Sequence, residues 1–103
     1  MADKDKNFTT VIFRKFKNGE VIALFPEIPF DIYGYHCLSY LHVGQHGGAD
    51  LTLVNDTKLA VPAEYDSLKQ ELEGLGYRVD ARQRATRTMY ERRSATAREI
   101  RQG

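Results

Sequence analysis

Two β-rich runs flank the dipeptide Asn18-Gly19. Asn-Gly is the strongest short hairpin signal, because a type I′ turn needs φ > 0 at both central residues. A two-residue loop would set Lys17 opposite Glu20, Phe16 opposite Val21, Arg14 opposite Ala23, Phe13 opposite Leu24 and Ile12 opposite Phe25. One face would then hold Ile12, Phe16, Val21, Ala23 and Phe25, with Arg14 as the exception. The other would hold Val11, Phe13, Ile22 and Leu24. The first face is expected to be core. The second is apolar away from the turn, so it needs a cover. A helix of this chain, its C-terminal segment or a second subunit would each serve.

Pro26 and Pro29 are expected to end the second strand, and the aromatic-rich run Phe30-Asp31-Ile32-Tyr33-Gly34-Tyr35 to connect it onward. Residues 36–43 read as a third strand, broken by Gly44, Gly47 and Gly48. Residues 49–61 read equally as a short strand or a helical turn. Residues 62–73 are predicted to be a helix. Pro62 suits the first helical position, and Glu64 and Asp66 suit the positive end of the helix dipole. Tyr65, Leu68, Leu72 and Leu75 fall on one stripe, with Lys69, Gln70, Glu71 and Glu73 opposite. Gly74 is expected as the stop, and Tyr77–Ala81 as a fourth strand.

The fold class expected is therefore α+β: a small, mainly antiparallel sheet in the order β-β-β-α-β, with an N-terminal hairpin, one packed helix and a basic C-terminal tail. A chain of 103 residues fits one domain. The division expected is a frayed 1–7, a domain over 8–82 and an arginine-rich segment over 83–103. Whether that last segment is helical or partly disordered stays open, since Ala85, Met89 and Ile100 define its apolar face poorly. Cys37 is the single cysteine, so no intramolecular disulfide is available, which suits a reducing compartment. No apolar run approaches the ~18 residues of a membrane span, and the N-terminus does not read as a signal peptide. The expected location is the cytoplasm, with no membrane association.

The formal net charge of +1 conceals a division. Residues 82–103 hold seven arginines against Glu91 and Glu99, a balance of +5. Residues 1–81 hold eight basic and twelve acidic side chains, a balance of −4. Arg82, Arg84, Arg87, Arg92, Arg93, Arg98 and Arg101 are thus candidates for contact with nucleic acid or an acidic partner. The competing readings are a solvated terminal helix, or one docked on the acidic helix 62–73. The near-neutral whole chain falls short of a dedicated nucleic-acid binder.

His36, Cys37, His42 and His46 are of zinc-ligand type and lie within eleven residues. On a strand, however, His36 and His42 share a face while Cys37 points the other way, so neither a metal site nor a cofactor is assigned. A Cys37–His thiolate pair lacks any marked oxyanion hole, and no catalytic residue is assigned. The segment Val43–Asp50 has no Gly-Lys-Ser/Thr to cradle a phosphate and reads as a flexible connection. Gln45 and His46 at its tip are candidate partner contacts. The carboxylates Glu64, Asp66, Glu71 and Glu73 read as a solvated helix face. The aromatic group Phe25, Phe30, Tyr33, Tyr35 and Tyr40 reads as an interface patch, or as core with phenolic tips reaching water. Tyr33, Tyr35 and Tyr40 join Gln45 and His46 as candidate partner-binding residues.

Three stretches carry a resemblance. They are Ser39-Tyr40-Leu41-His42-Val43-Gly44-Gln45-His46-Gly47, Val61-Pro62-Ala63-Glu64-Tyr65 and Leu72-Glu73-Gly74-Leu75-Gly76-Tyr77. Over about residues 10–82 the chain resembles small uncharacterised proteins of bacterial genomes and mobile genetic elements. The resemblance implies such a setting and no assigned activity, and it excludes the arginine-rich tail. Small proteins of these elements often act by binding, for example as inhibitors of a host system such as an anti-CRISPR. The function expected is a non-enzymatic protein-interaction module, with a homodimer as one form. The alternatives are a nucleic-acid-associated accessory protein using the tail, and a small metal- or thiol-dependent enzyme.

Overall fold

The computed structural model describes residues 8–41 and 45–103; the segment 1–7, expected to be frayed, and the candidate ligand His42 lie outside them. The chain is α+β. Its strands are β1 (Thr9–Lys15), β2 (Val21–Pro29), β3 (Cys37–Leu41), β4 (Gln45–Ala49), β5 (Lys58–Leu59) and β6 (Val79–Arg82). Its helices are α1 (Pro62–Gly74) and α2 (Arg87–Gln102), with a 3₁₀ turn over Leu51–Asp56. They form one sheet in the order β4-β3-β2-β1-β5. β6 pairs with β1 as well, in parallel, while every other pair is antiparallel.

The hairpin exists, but its register differs by one residue from expectation. Ile12 faces Leu24, Phe13 faces Ala23, Arg14 faces Ile22 and Lys15 faces Val21. The loop has three residues, closed by the Phe16 N–H donating to the Glu20 carbonyl at 2.8 Å. Gly19 alone takes positive φ, at +92°. Asn18 does not, so a type I′ turn is not formed. Its side-chain oxygen accepts the Glu20 N–H at 2.9 Å instead. A one-residue slip moves one strand's side chains to the opposite face. The consequence is a cleaner sorting than the sequence suggested. Val11, Phe13, Ala23 and Phe25 share one face, and Ile12, Ile22 and Leu24 share the other.

Each face has its own cover. α1 places Leu68 and Leu72, both essentially inaccessible, against the first face, and Tyr65 stacks on Phe13 with ring centroids 4.2 Å apart. Fully burying a leucine contributes about 1.5–3 kcal/mol. The second face is covered by Met89 of α2 and by Leu51 and Leu53 of the 3₁₀ turn. The arginine-rich segment is therefore a folded helix, docked on the sheet rather than on the acidic α1. Its capping residue is Thr86, whose hydroxyl accepts the Met89 N–H at 3.3 Å. Arg14, the charged exception in the hairpin, clamps the 3₁₀ turn by donating to the carbonyls of Val54 (2.9 Å) and Thr57 (2.7 Å).

Three further expectations are corrected. β2 runs through both prolines to Pro29, with the register to β3 shifting between Phe25 and Pro29. Such an irregularity is where a strand tolerates residues without an N–H. The glycine segment does not simply break the third strand, because Gln45–Ala49 forms β4. α1 runs through Gly74, and the positive-φ residue that stops it is Gly76 rather than Gly74. Gly76 has φ +107°, its N–H donates to the Glu73 carbonyl (3.1 Å), and the Tyr77 N–H donates to the Leu72 carbonyl (3.1 Å). Those paired bonds make a Schellman stop, and they leave Leu75 exposed instead of on the apolar stripe.

Candidate partner-binding surface

The connection from β2 to β3 is organised by a carboxylate. One oxygen of Asp31 accepts the N–H groups of Tyr33 (3.1 Å) and Tyr35 (3.0 Å). The other accepts the His36 N–H (3.1 Å) and meets the His36 Nδ1 at 2.7 Å. The Phe30 N–H closes the loop onto the His36 carbonyl at 2.9 Å. The bond from the His36 ring, reinforced by backbone N–H donors, holds the Asp31 carboxyl down at about 2. With the backbone held inward, the large side chains face outward. Phe30, Ile32, Tyr33 and Tyr35 are 55%, 54%, 56% and 74% exposed, and the two tyrosine rings stack with centroids 5.7 Å apart.

α2 holds this connection from behind. Arg93 is buried, and donates from Nε to the Gly34 carbonyl (2.9 Å) and from Nη1 to the Pro26 carbonyl (2.8 Å). Gly34 has φ +75°, and a Cβ there would come within 3.0 Å of the Ala97 Cβ. Glycine is required on both counts. Arg101 donates to the Ile32 carbonyl at 2.9 Å and lies 5.5 Å from the centroid of the Tyr33 ring. Arg92 pairs with Glu27 at 2.9 Å.

The surface continues to the edge of the sheet. Phe30 lies over Gly48 of β4, where a Cβ would come within 2.4 Å of the ring. His46, on the same strand, is exposed, meets the Tyr77 hydroxyl at 3.0 Å and packs edge-on against Tyr40. Tyr40 itself is buried, and its hydroxyl donates to Glu71. That carboxylate, with burial, raises the Tyr40 hydroxyl above its ordinary value.

The candidates therefore divide. Tyr33, Tyr35 and His46 are exposed, with the two tyrosines in contact. Tyr40 belongs to the core, as does Phe25. Gln45 is placed in β4 by its backbone, and its side chain lies outside the described residues. Of the seven tail arginines, Arg92, Arg93 and Arg101 bind their own chain, Arg82 pairs with Asp80 at 2.9 Å, and Arg87 sits 3.6 Å from Glu91. Arg84 and Arg98 are exposed.

Among the described residues, those of metal-ligand type are not brought together. His36 faces Asp31, His46 faces Tyr77, and Cys37 is buried in the cluster on the α2 side of the sheet. Among the described residues no three His, Cys, Asp or Glu side chains converge on one point. Burial pushes the Cys37 thiol up, away from thiolate chemistry. Among the same residues no helix is long and apolar enough to cross a membrane.

Sequence reasoning missed Asp31 and Gly34, the residues that shape the loop. The available signal was an Asp three residues before a glycine, a turn-forming arrangement in which the carboxylate accepts nearby backbone N–H groups. No family model matches the chain, and neither the curated proteins nor the solved structures yield a match.

Proposed function

We propose that this chain is a non-enzymatic protein-interaction module, and that it binds a protein partner through the connection Phe30–Tyr35. The observation that carries this reading is the exposure of Phe30, Ile32, Tyr33 and Tyr35 on a loop already fixed by Asp31, Arg93 and Arg101. Large rings held rigid lose little freedom on binding, and aromatic anchors dominate interface energetics. The burial of Cys37, which pushes its thiol up, supports a binding role over thiol chemistry. In its narrower form the reading is an inhibitor of a host system, such as an anti-CRISPR, carried by a bacterial mobile element and acting in the cytoplasm. That narrowing rests on the sequence resemblance.

The test is affinity capture from the cells that carry the protein, comparing the natural chain with Tyr33→Ala/Tyr35→Ala. Both side chains are exposed, so the variant is expected to fold. A partner retained by the natural chain and lost by the variant supports the reading. A partner held equally by both, or nucleic acid recovered in its place, overturns it.

A further inference from the structure

We propose that the chain pairs with a second copy of itself along the outer edge of β4, antiparallel, about a two-fold axis at Gly47. β4 ends the sheet, and among the described residues nothing pairs with its outer side. An end strand offers a row of backbone N–H and C=O groups, which proteins ordinarily blunt with lysine, proline, a bulge or a cover. Gln-His-Gly-Gly-Ala has no charged residue and no proline, and its register to β3 is unbroken. The other edge is treated differently. There β1 is covered by β5 and β6, and β6 carries Asp80 and Arg82.

The backbone calls for an extended segment, and the side chains say which one. Pairing about Gly47 sets Gln45 opposite Ala49 of the second copy, and His46 opposite Gly48. The ring of His46 thus comes beside the Phe30 ring that covers that glycine. Two-fold symmetry makes the contact twice. Like charges directly opposite destabilise a strand pair, and this strand brings none to the axis. The pairing shares Phe30 with the proposed partner surface but not Tyr33 and Tyr35, which lie off the strand.

The test uses the full chain and its position 47. A Cβ at Gly47 would have only the Ser39 hydroxyl near it, at 3.8 Å, so a side chain is accommodated there. Light scattering across a concentration series is expected to show a monomer–dimer equilibrium for the natural chain. Gly47→Asp and Gly47→Lys each place like charges across the axis and are expected to be monomeric, with Gly47→Ala still dimeric. Mixing the Asp and Lys variants is expected to restore a dimer. Circular dichroism establishes that each variant is folded. Amide exchange of the natural chain adds a variant-free reading, with residues 45–49 more protected at high concentration. A natural chain that is monomeric throughout, a dimer untouched by Gly47→Asp, or a mixture that stays monomeric overturns the proposal.

Discussion

The guanidinium of Arg93 and the carbonyl of Gly34 are 2.9 Å apart, and through them the last helix holds the aromatic connection in place. Both partners are irreplaceable for different reasons. Arg93→Met leaves the Gly34 and Pro26 carbonyls without their donor, at about 1–3 kcal/mol for each buried group left unpaired. Gly34→Ala forces a side chain into the left-handed region and against Ala97, for about 1–3 kcal/mol. Thermal melts are expected to fall for both. An unchanged melting temperature in Arg93→Met would contradict the buried geometry.

Acid should loosen the aromatic connection. The Asp31 carboxyl lies at about 2 in the folded chain, against an ordinary 3.8. A depressed carboxylate contributes stability that is complete above the unfolded value and is lost as pH falls through the folded one. Tyr33 and Tyr35 ring signals followed by NMR should therefore change between about pH 4 and 2, and Asp31→Asn should abolish that step.

Cys37 should be silent toward thiol reagents while the sheet is intact. It is fully buried with a raised thiol, and the thiolate is the reactive form. Modification by iodoacetamide is expected only under denaturant. Rapid labelling of the native chain would place the residue elsewhere.

Gly48→Ala is expected to separate stability from surface shape. The added Cβ meets the exposed ring of Phe30 rather than backbone, so the ring can swing aside. The melting temperature should change little, while the Phe30 ring signals move.

Leu72→Ala and Leu75→Ala should behave oppositely despite lying three residues apart. Leu72 is fully buried on the sheet-facing side of α1, and its truncation should cost about 2–5 kcal/mol. Leu75 is 56% exposed, and its truncation should stay within about 0.5 kcal/mol. Denaturant titration distinguishes them.

The elements with local signals were legible in the sequence. Asn18-Gly19 marked a hairpin, and the stripe Tyr65–Leu68–Leu72 marked α1, because turn chemistry and helical periodicity act over a few residues. Register was less legible, since the two-residue and three-residue loops share one dipeptide and only the sign of Asn18 φ separates them. The strand through Gly47 and Gly48 was hidden because its pairing partner, not its own propensity, makes it a strand. The role of Arg93 was hidden for a related reason. Its partners lie 59 and 67 residues away, so the charge read as surface when it is buried. The aromatic character of Tyr33 and Tyr35 marks them as contacts, but the role of Asp31 was hidden because it acts through backbone N–H groups.

The central place of β1 bears on the order in which the chain can be completed. β1 pairs with β2 across a short loop, but its other edge waits for Lys58–Leu59 and Val79–Arg82. The second face of the sheet waits longer still, for Met89. Such distant pairing makes folding slow and leaves intermediates exposed. A nascent chain halted before residue 79 leaves the Thr9–Ile12 edge of β1 without β6 and the second apolar face without Met89, so interrupted synthesis is the point at which this protein is most exposed to aggregation and proteolysis.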